Sequence, residues 1–340
     1  MATLAMPACA GESVREEPLN ASAGVGSDGD TETVAESTQG PASTSGALGG
    51  SDESTGSDGF RFDVADDNES AGDSADGTSG CEKVDLLFVI DDSISMAGEQ
   101  QNLIASFPAF IEGIQSGLEG VSSYHVGVTT TNVYEFNAAD CRQIGTLVTS
   151  TGGANSSGAT CGPFNEGRYL GSGDNLEQQF ACAAQVGTDG PVDERPMQAM
   201  QTAVGPVHAI PGGCNEGFVR DDALLVVVIV TDEEDDIVEF YDTVEGSPGD
   251  PQTWFDELVA TKTYEENIAV LSIIGGQPGN VCPEPYGVDG AEDAPRIRAF
   301  TEMFTNGFLG DVCAPTYGPF FDEAIGVVET ACGGFIPPAG

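Results

Sequence analysis

The residues best placed to do chemistry stand at the ends of two apolar runs. Asp85-Leu86-Leu87-Phe88-Val89-Ile90 ends in Asp91-Asp92-Ser93-Ile94-Ser95-Met96, and the run Ala223–Val230 ends in Thr231-Asp232-Glu233-Glu234-Asp235-Asp236. Asp91, Ser93 and Ser95 have the spacing D-x-S-x-S. In a tight strand-to-helix turn alternate residues can point inward together, so one carboxylate and two hydroxyls converge. That set does not hold a divalent cation alone, but with a second carboxylate and water it can. Oxygen-only ligation by few charges suits Mg2+, with Mn2+ or Ca2+ as alternatives. The same residues have a reading without metal, since Asp and Ser are favoured helix N-caps. The run Glu233–Asp236 reads as a solvated helix start favoured by the helix dipole, or as a second cation site suited to Ca2+.

The elements that must position these residues alternate between strand and helix. Continuous apolar runs of strand length mark buried parallel strands at 85–90, 223–230 and 268–274, with a further strand at 124–130. Ile144–Val148 is a candidate hairpin partner of the last of these. A helical stripe of Leu103, Phe107, Phe110, Ile111 and Ile114 lies within 98–118. Further helices are expected near 174–186, 193–205, 251–266, 294–305 and 317–331, with a short strand near 308–312. This alternation predicts an α/β fold, a doubly wound and mostly parallel sheet with helices on both faces. Ligands of such sheets bind beyond the carboxyl ends of the strands, near the point where strand order reverses.

Composition narrows the function classes. The 340 residues carry 56 acidic and 10 basic side chains, a formal charge of −46. Nucleic-acid binding through phosphates is excluded, because there is almost no cation to displace counterions. Attraction to an anionic lipid surface is excluded on the same ground. No apolar run of 18 residues exists, so no spanning helix is expected. Residues 1–80 hold 16 acidic and 2 basic residues, a net of −14. From 10 to 80 the chain is mostly Gly, Ser, Thr, Asp and Glu, and reads as a disordered, self-repelling tether, interrupted only by Phe60-Arg61-Phe62-Asp63-Val64. Residues 1–9 end in Met6-Pro7-Ala8-Cys9 and resemble the end of a bacterial lipoprotein signal, in which the cysteine becomes the lipidated first residue, although a basic leading region is missing. The folded domain is expected over 81–333, with a tail at 334–340.

Nine cysteines against two histidines fit disulfides in an oxidising compartment better than zinc. Without Cys9 eight remain. Position suggests a clasp between Cys81 and Cys332, and neighbour pairs Cys141–Cys161, Cys182–Cys214 and Cys282–Cys313. His125 lies among apolar strand residues and reads as a hydrogen-bonded core residue, and His208 as a loop residue. No G-x-S-x-G, H-E-x-x-H or phosphate-loop lysine motif occurs, so no catalytic site is expected.

The D-x-S-x-S after Phe88-Val89-Ile90, the following Met96, and Val230-Thr231-Asp232 after the later strand together resemble the von Willebrand factor type A domain and its metal-ion-dependent adhesion site. The resemblance covers about 81–332. It implies a doubly wound sheet with one antiparallel edge strand, and metal ligands at Asp91, Ser93, Ser95 and Asp232. It also implies a threonine from an intermediate loop, placed at Thr188 in Gly187-Thr188-Asp189-Gly190, with Thr202 as the weaker candidate. Ile94 and Glu233 stand where glycine is usual. Phe218-Val219-Arg220-Asp221-Asp222-Ala223 and the acidic run after the strand are similar to a bacterial surface or secreted subgroup. The resemblance implies an extracytoplasmic binding module, not an enzyme, whose Mg2+ takes a carboxylate from a partner protein. The alternatives are a structural surface protein with a vestigial site and a metal-dependent hydrolase.

Overall fold

A computed structural model describes residues 80–118, 120–191, 194–235, 239–240, 243–244, 246–276 and 290–339. The chain divides into two units, Met1–Ser70 and Ala71–Gly340, and all described residues belong to the second. The segment read as signal-like (1–9) and the tether (10–80), apart from Gly80, lie outside the described residues, as does Cys282.

The apolar runs form the centre of the sheet. Strands β1 (Lys83–Ile90), β2 (Ser123–Thr130), β3 (Leu224–Val230), β6 (Ile268–Ile274) and β7 (Gly307–Asp311) pair in the order β2-β1-β3-β6-β7, every pair parallel. A two-residue antiparallel pair, β4 (Glu239–Phe240) and β5 (Thr243–Val244), lies apart. β3 and β6 are buried at every position, because both faces of the sheet are covered and alternate side chains enter opposite layers. Phe88, Ile90, Val226, Val228 and Val230 enter one core with helices α1 (Ala97–Gly117), α2 (Leu176–Ala184) and α7 (Gly318–Gly333). Leu87, Val89, Leu225, Val227 and Ile229 enter the other with α3 (Pro196–Val204), α5 (Pro251–Lys262) and α6 (Pro295–Glu302). A further helix, α4 (Pro206–Ala209), is a single turn that holds His208. The fold is therefore the doubly wound α/β arrangement expected from the alternation of elements.

The chain leaves β1 for β2 on one side and reaches β3 on the other, so strand order reverses at the β1/β3 boundary. Asp91 follows β1 and Asp232 follows β3, which places both at that switch point. Asp91 N–H donates to Val230 O at 3.0 Å, continuing the ladder one residue beyond the strand.

Two expectations are corrected. Ile144–Val148 forms no strand, and among the described residues the five-stranded sheet has no antiparallel edge strand. Gly145 turns the segment with φ +78, a conformation a β-strand does not contain. What remains beside β2 is one backbone hydrogen bond from Val148 to Val128, at 2.8 Å, and an isolated antiparallel bridge between Val126 and Leu170.

The disulfides are the second correction. Cys81–Cys332 forms as the end-to-end clasp, with Cα atoms 4.8 Å apart. Two further bridges are Cys141–Cys214 and Cys161–Cys182, not Cys141–Cys161 and Cys182–Cys214. Neighbour order along the chain misled because α3 and α4 carry Cys214 back across the sheet to the loop after β2, where Cys141 lies. Cys313 is disulfide-bonded, and the pairing expected for it with Cys282 lies outside the described residues. Disulfides of this number persist in oxidising, extracytoplasmic compartments. No helix among the described residues is long and apolar enough to cross a membrane.

Candidate metal centre

Asp91 is fully buried. Its Oδ1 accepts from Ser93 N–H at 2.7 Å, closing a turn two residues long, and its Oδ2 accepts from the Thr231 hydroxyl at 2.6 Å. The turn brings the Ser93 and Ser95 hydroxyls to 3.3 Å from one another. Helix α1 has Met96 at its N-cap with no side-chain cap bond, so neither serine caps the helix. Both hydroxyls stay at the strand end with Asp91, as the cation reading requires.

Asp232 is 4% exposed. Its neighbours include the Ser95 hydroxyl, which hydrogen-bonds to it, and the charge of Asp91. Its Oδ1 is buried and has no hydrogen-bond partner. A buried carboxylate oxygen without a donor carries an uncompensated desolvation cost, and a cation placed there would remove it. Burial, joined by the charge of Asp91, raises Asp232 and Asp92 each to about 7. Burial and then the charges of Asp91 and Asp232 raise Glu233 to about 8. These carboxylates are crowded at one sheet edge, where burial and the neighbouring charges oppose the ionisation of each. No group of three or more His, Cys, Asp or Glu side chains is arranged as a metal cluster among the described residues. The strand ends supply two such residues, Asp91 and Asp232, beside hydroxyls.

Thr188 is 5% exposed and sits on the loop between α2 and α3. Its hydroxyl accepts from Asn155 Nδ2 at 2.8 Å and its N–H donates to Ala154 O at 2.9 Å. The loop as a whole is stitched to the site. Gln100 Nε2 donates to both Asp91 O (3.0 Å) and Gly187 O (2.8 Å), and Gln100 Oε1 accepts from Gly187 N–H at 3.1 Å. Gly190 N–H donates to Asp92 O at 2.8 Å, and a Cβ at Gly190 would fall 2.6 Å from that oxygen, so only glycine allows the approach. Thr202, the weaker candidate, turns its hydroxyl onto Gln198 O of its own helix at 2.6 Å and is not gathered into the site.

The acidic run after β3 is neither a helix start nor a solvated face over its described part. Asp235 Oδ2 accepts from Met197 N–H at 2.9 Å and Ser247 Oγ at 2.6 Å. Glu234 Oε2 accepts from Arg296 N–H at 2.6 Å and its Oε1 from Ile297 N–H at 3.3 Å. Helices α3 and α6 both begin with proline at the first turn and have no side-chain cap of their own. Asp235 and Glu234 supply the missing acceptors from a distant part of the chain, and their negative charge suits a helix N-terminus. Glu234→Ala is therefore expected to destabilise the domain by about 1–2 kcal/mol. Urea denaturation reads the loss, and an unchanged midpoint would show that the cap is dispensable.

At the opposite end of the sheet, His125 is a buried core residue as expected. Its Nδ1 lies 2.8 Å from Phe218 O and its Nε2 lies 3.1 Å from Glu166. His208 is buried, with Nε2 3.1 Å from Ile144 O. Neither histidine belongs to the candidate site.

No protein-family model matches the chain, and no curated protein matches it. Solved structures that it resembles include two of proximal thread matrix protein 1 from the mussel byssus. One has 14% identity and a TM-score of 0.39, covering 73% of this chain and 49% of that one. The other has 13% identity and a TM-score of 0.37, covering 73% and 48%. The chain spans about half the length of these structures.

Proposed function

We propose that the domain is an extracytoplasmic, cation-dependent protein-binding module of the von Willebrand factor A type. The observation that carries this reading is the meeting of Asp91 and Asp232 at the switch point of the sheet, with Asp232 Oδ1 buried and unpartnered. Asp91, Ser93, Ser95 and Asp232 would hold a cation of the Mg2+ type, with Mn2+ or Ca2+ as alternatives. Thr188 is the donor that the sequence resemblance assigns to the neighbouring loop. A bound cation would supply an open coordination position for a carboxylate of a partner protein. The rest of the surface is strongly acidic and would repel such a ligand, so the attraction would be confined to this edge. The chain's own residues set the geometry. Ser93 N–H and the Thr231 hydroxyl fix both oxygens of Asp91, and Gln100 holds the 187–190 loop against it. Anchoring through a lipidated Cys9, with residues 10–80 as a tether, belongs to the same proposal.

The test is affinity capture of cell-surface proteins on the immobilised domain in millimolar Mg2+, repeated in EDTA and with Asp232→Asn. Retention in Mg2+, with release by EDTA and loss in the variant, is the expected result. Capture indifferent to both would overturn the mechanism, and a wild-type site that takes up no cation at millimolar Mg2+ would favour a structural protein with a vestigial site.

A further inference from the structure

We propose that the groove between α3, α4 and α5 is a protein-docking site, whose occupant is a segment of another protein that carries apolar side chains beside a lysine or arginine. This inference is independent of the cation reading.

The groove has a volume of about 480 Å3, and Val204, Pro206, Val219 and Leu258 form its apolar wall. Val207 and Ile210, on α4 and directly after it, are 65% and 57% exposed. Large apolar side chains left in water beside an apolar groove mark an interaction surface. A second groove of about 460 Å3 shares Asp221, Ala260 and Thr261 with the first and reaches Tyr264, which is 38% exposed. The joined surface is therefore elongated, which suits a length of polypeptide better than a compact small molecule.

Polar groups at the groove set the chemistry of the occupant. Asp221 and Glu257 line it, are both exposed, and stand in no ion pair among the described residues. The basic side chains nearest to them in sequence are committed to the fold. Arg220 pairs with Asp85, and Lys262 Nζ donates to the carbonyls of Arg220 and Asp221. A cation from outside would complement the two carboxylates. Gln201 also lines the groove, and its Nε2 is buried without a hydrogen-bond partner. Terminal amide torsions are broad, so a main-chain carbonyl laid in the groove can accept from it. A second copy of this chain fits poorly, since each copy carries a formal charge of −46. Val219 and Asp221 precede β3 and Asp232 follows it, so the length of that strand, about 20 Å, separates the groove from the candidate metal centre.

NMR titration of the whole protein in EDTA with two peptides, acetyl-Gly-Trp-Arg-Leu-Gly-amide and acetyl-Gly-Trp-Glu-Leu-Gly-amide, tests the proposal. The arginine peptide is expected to bind, and the glutamate peptide to bind at least about tenfold more weakly. Glu257→Lys is expected to weaken the arginine peptide at least about fivefold. Val207→Ser combined with Ile210→Ser is expected to weaken it at least about threefold. All the replaced side chains are exposed, and circular dichroism checks the fold of each variant. An arginine peptide that does not bind, equal binding of the two peptides to wild type, or full affinity in a folded Glu257→Lys protein would overturn the proposal. Sedimentation equilibrium covers the remaining occupant. A wild-type dimer dispersed by the Val207→Ser, Ile210→Ser pair would assign the groove to a second copy and overturn the basic partner.

Discussion

Replacing Arg220 with methionine is expected to destabilise the domain by about 3–5 kcal/mol, the cost of leaving a buried carboxylate without its partner. Asp85, on the central strand β1, has no exposed surface. Arg220 approaches it with backbone N–H to Oδ2 at 2.7 Å, Nε to Oδ1 at 2.8 Å and NH2 to Oδ1 at 2.6 Å. The same guanidinium donates to Ser123 Oγ at 2.6 Å and to Val84 O at 3.1 Å, tying the starts of β1 and β2 together. Burial pushes the Asp85 carboxyl above its ordinary value, and the Arg220 charge pulls it back. Without the guanidinium, burial is opposed only by the backbone N–H at position 220 and by nearby His125. Chemical denaturation gives the magnitude, and the double variant Arg220→Met with Asp85→Leu separates its causes. If the uncompensated charge is the main cost, the double variant recovers most of the loss, since a buried pair can often be exchanged for apolar residues at little cost. A double variant as unstable as Arg220→Met would mean that the bonds to Ser123 and Val84 dominate.

Removing the Cys81–Cys332 bridge as the paired serine variant is expected to cost about 5 kcal/mol if loop entropy governs, because the bridge spans 251 residues. The clasp joins the start of β1 to the end of α7, where Cys81 N–H also donates to Cys332 O at 3.0 Å. The Cys161–Cys182 bridge spans only 21 residues, so its removal is expected to cost about 3 kcal/mol on the same scale. Urea midpoints of the two paired serine variants provide the comparison. Equal losses would show that native strain or residual structure in the unfolded chain, not loop length, sets the effect.

Arg220 also accounts for the stretch that leads into β3. In Phe218-Val219-Arg220-Asp221-Asp222-Ala223, Phe218 fills the core, Arg220 neutralises Asp85, and Asp222 pairs with Lys83 at 2.5 Å. Lys262 Nζ donates to Arg220 O at 2.5 Å and to Asp221 O at 3.3 Å. These are the only two lysines in the chain, and both secure the turn that leads into β3. The motif is structural, and it lies at the opposite end of the strands from Asp91 and Asp232.

The sequence by itself determined the layered fold and the central pair of the candidate site. Unbroken apolar runs such as Leu224–Val230 require burial on both faces, and alternation with helices makes the strands parallel. Once those strands are parallel neighbours, the residues that follow them must meet at one edge, which is where Asp91, Ser93, Ser95 and Asp232 stand. What only the tertiary structure decided depends on proximity that chain order does not encode. Cys141 meets Cys214, 73 residues away, instead of nearby Cys161. Glu234 and Asp235 read as a helix start, yet α3 and α6, which begin with proline and lack acceptors of their own, draw on these distant carboxylates. Arg220 and Asp85 are 135 positions apart, and neither carries a local signal of pairing. The unpartnered oxygen of Glu194 likewise exists only after the loop before α3 folds against the end of β2, where burial removes the water that would otherwise have solvated it.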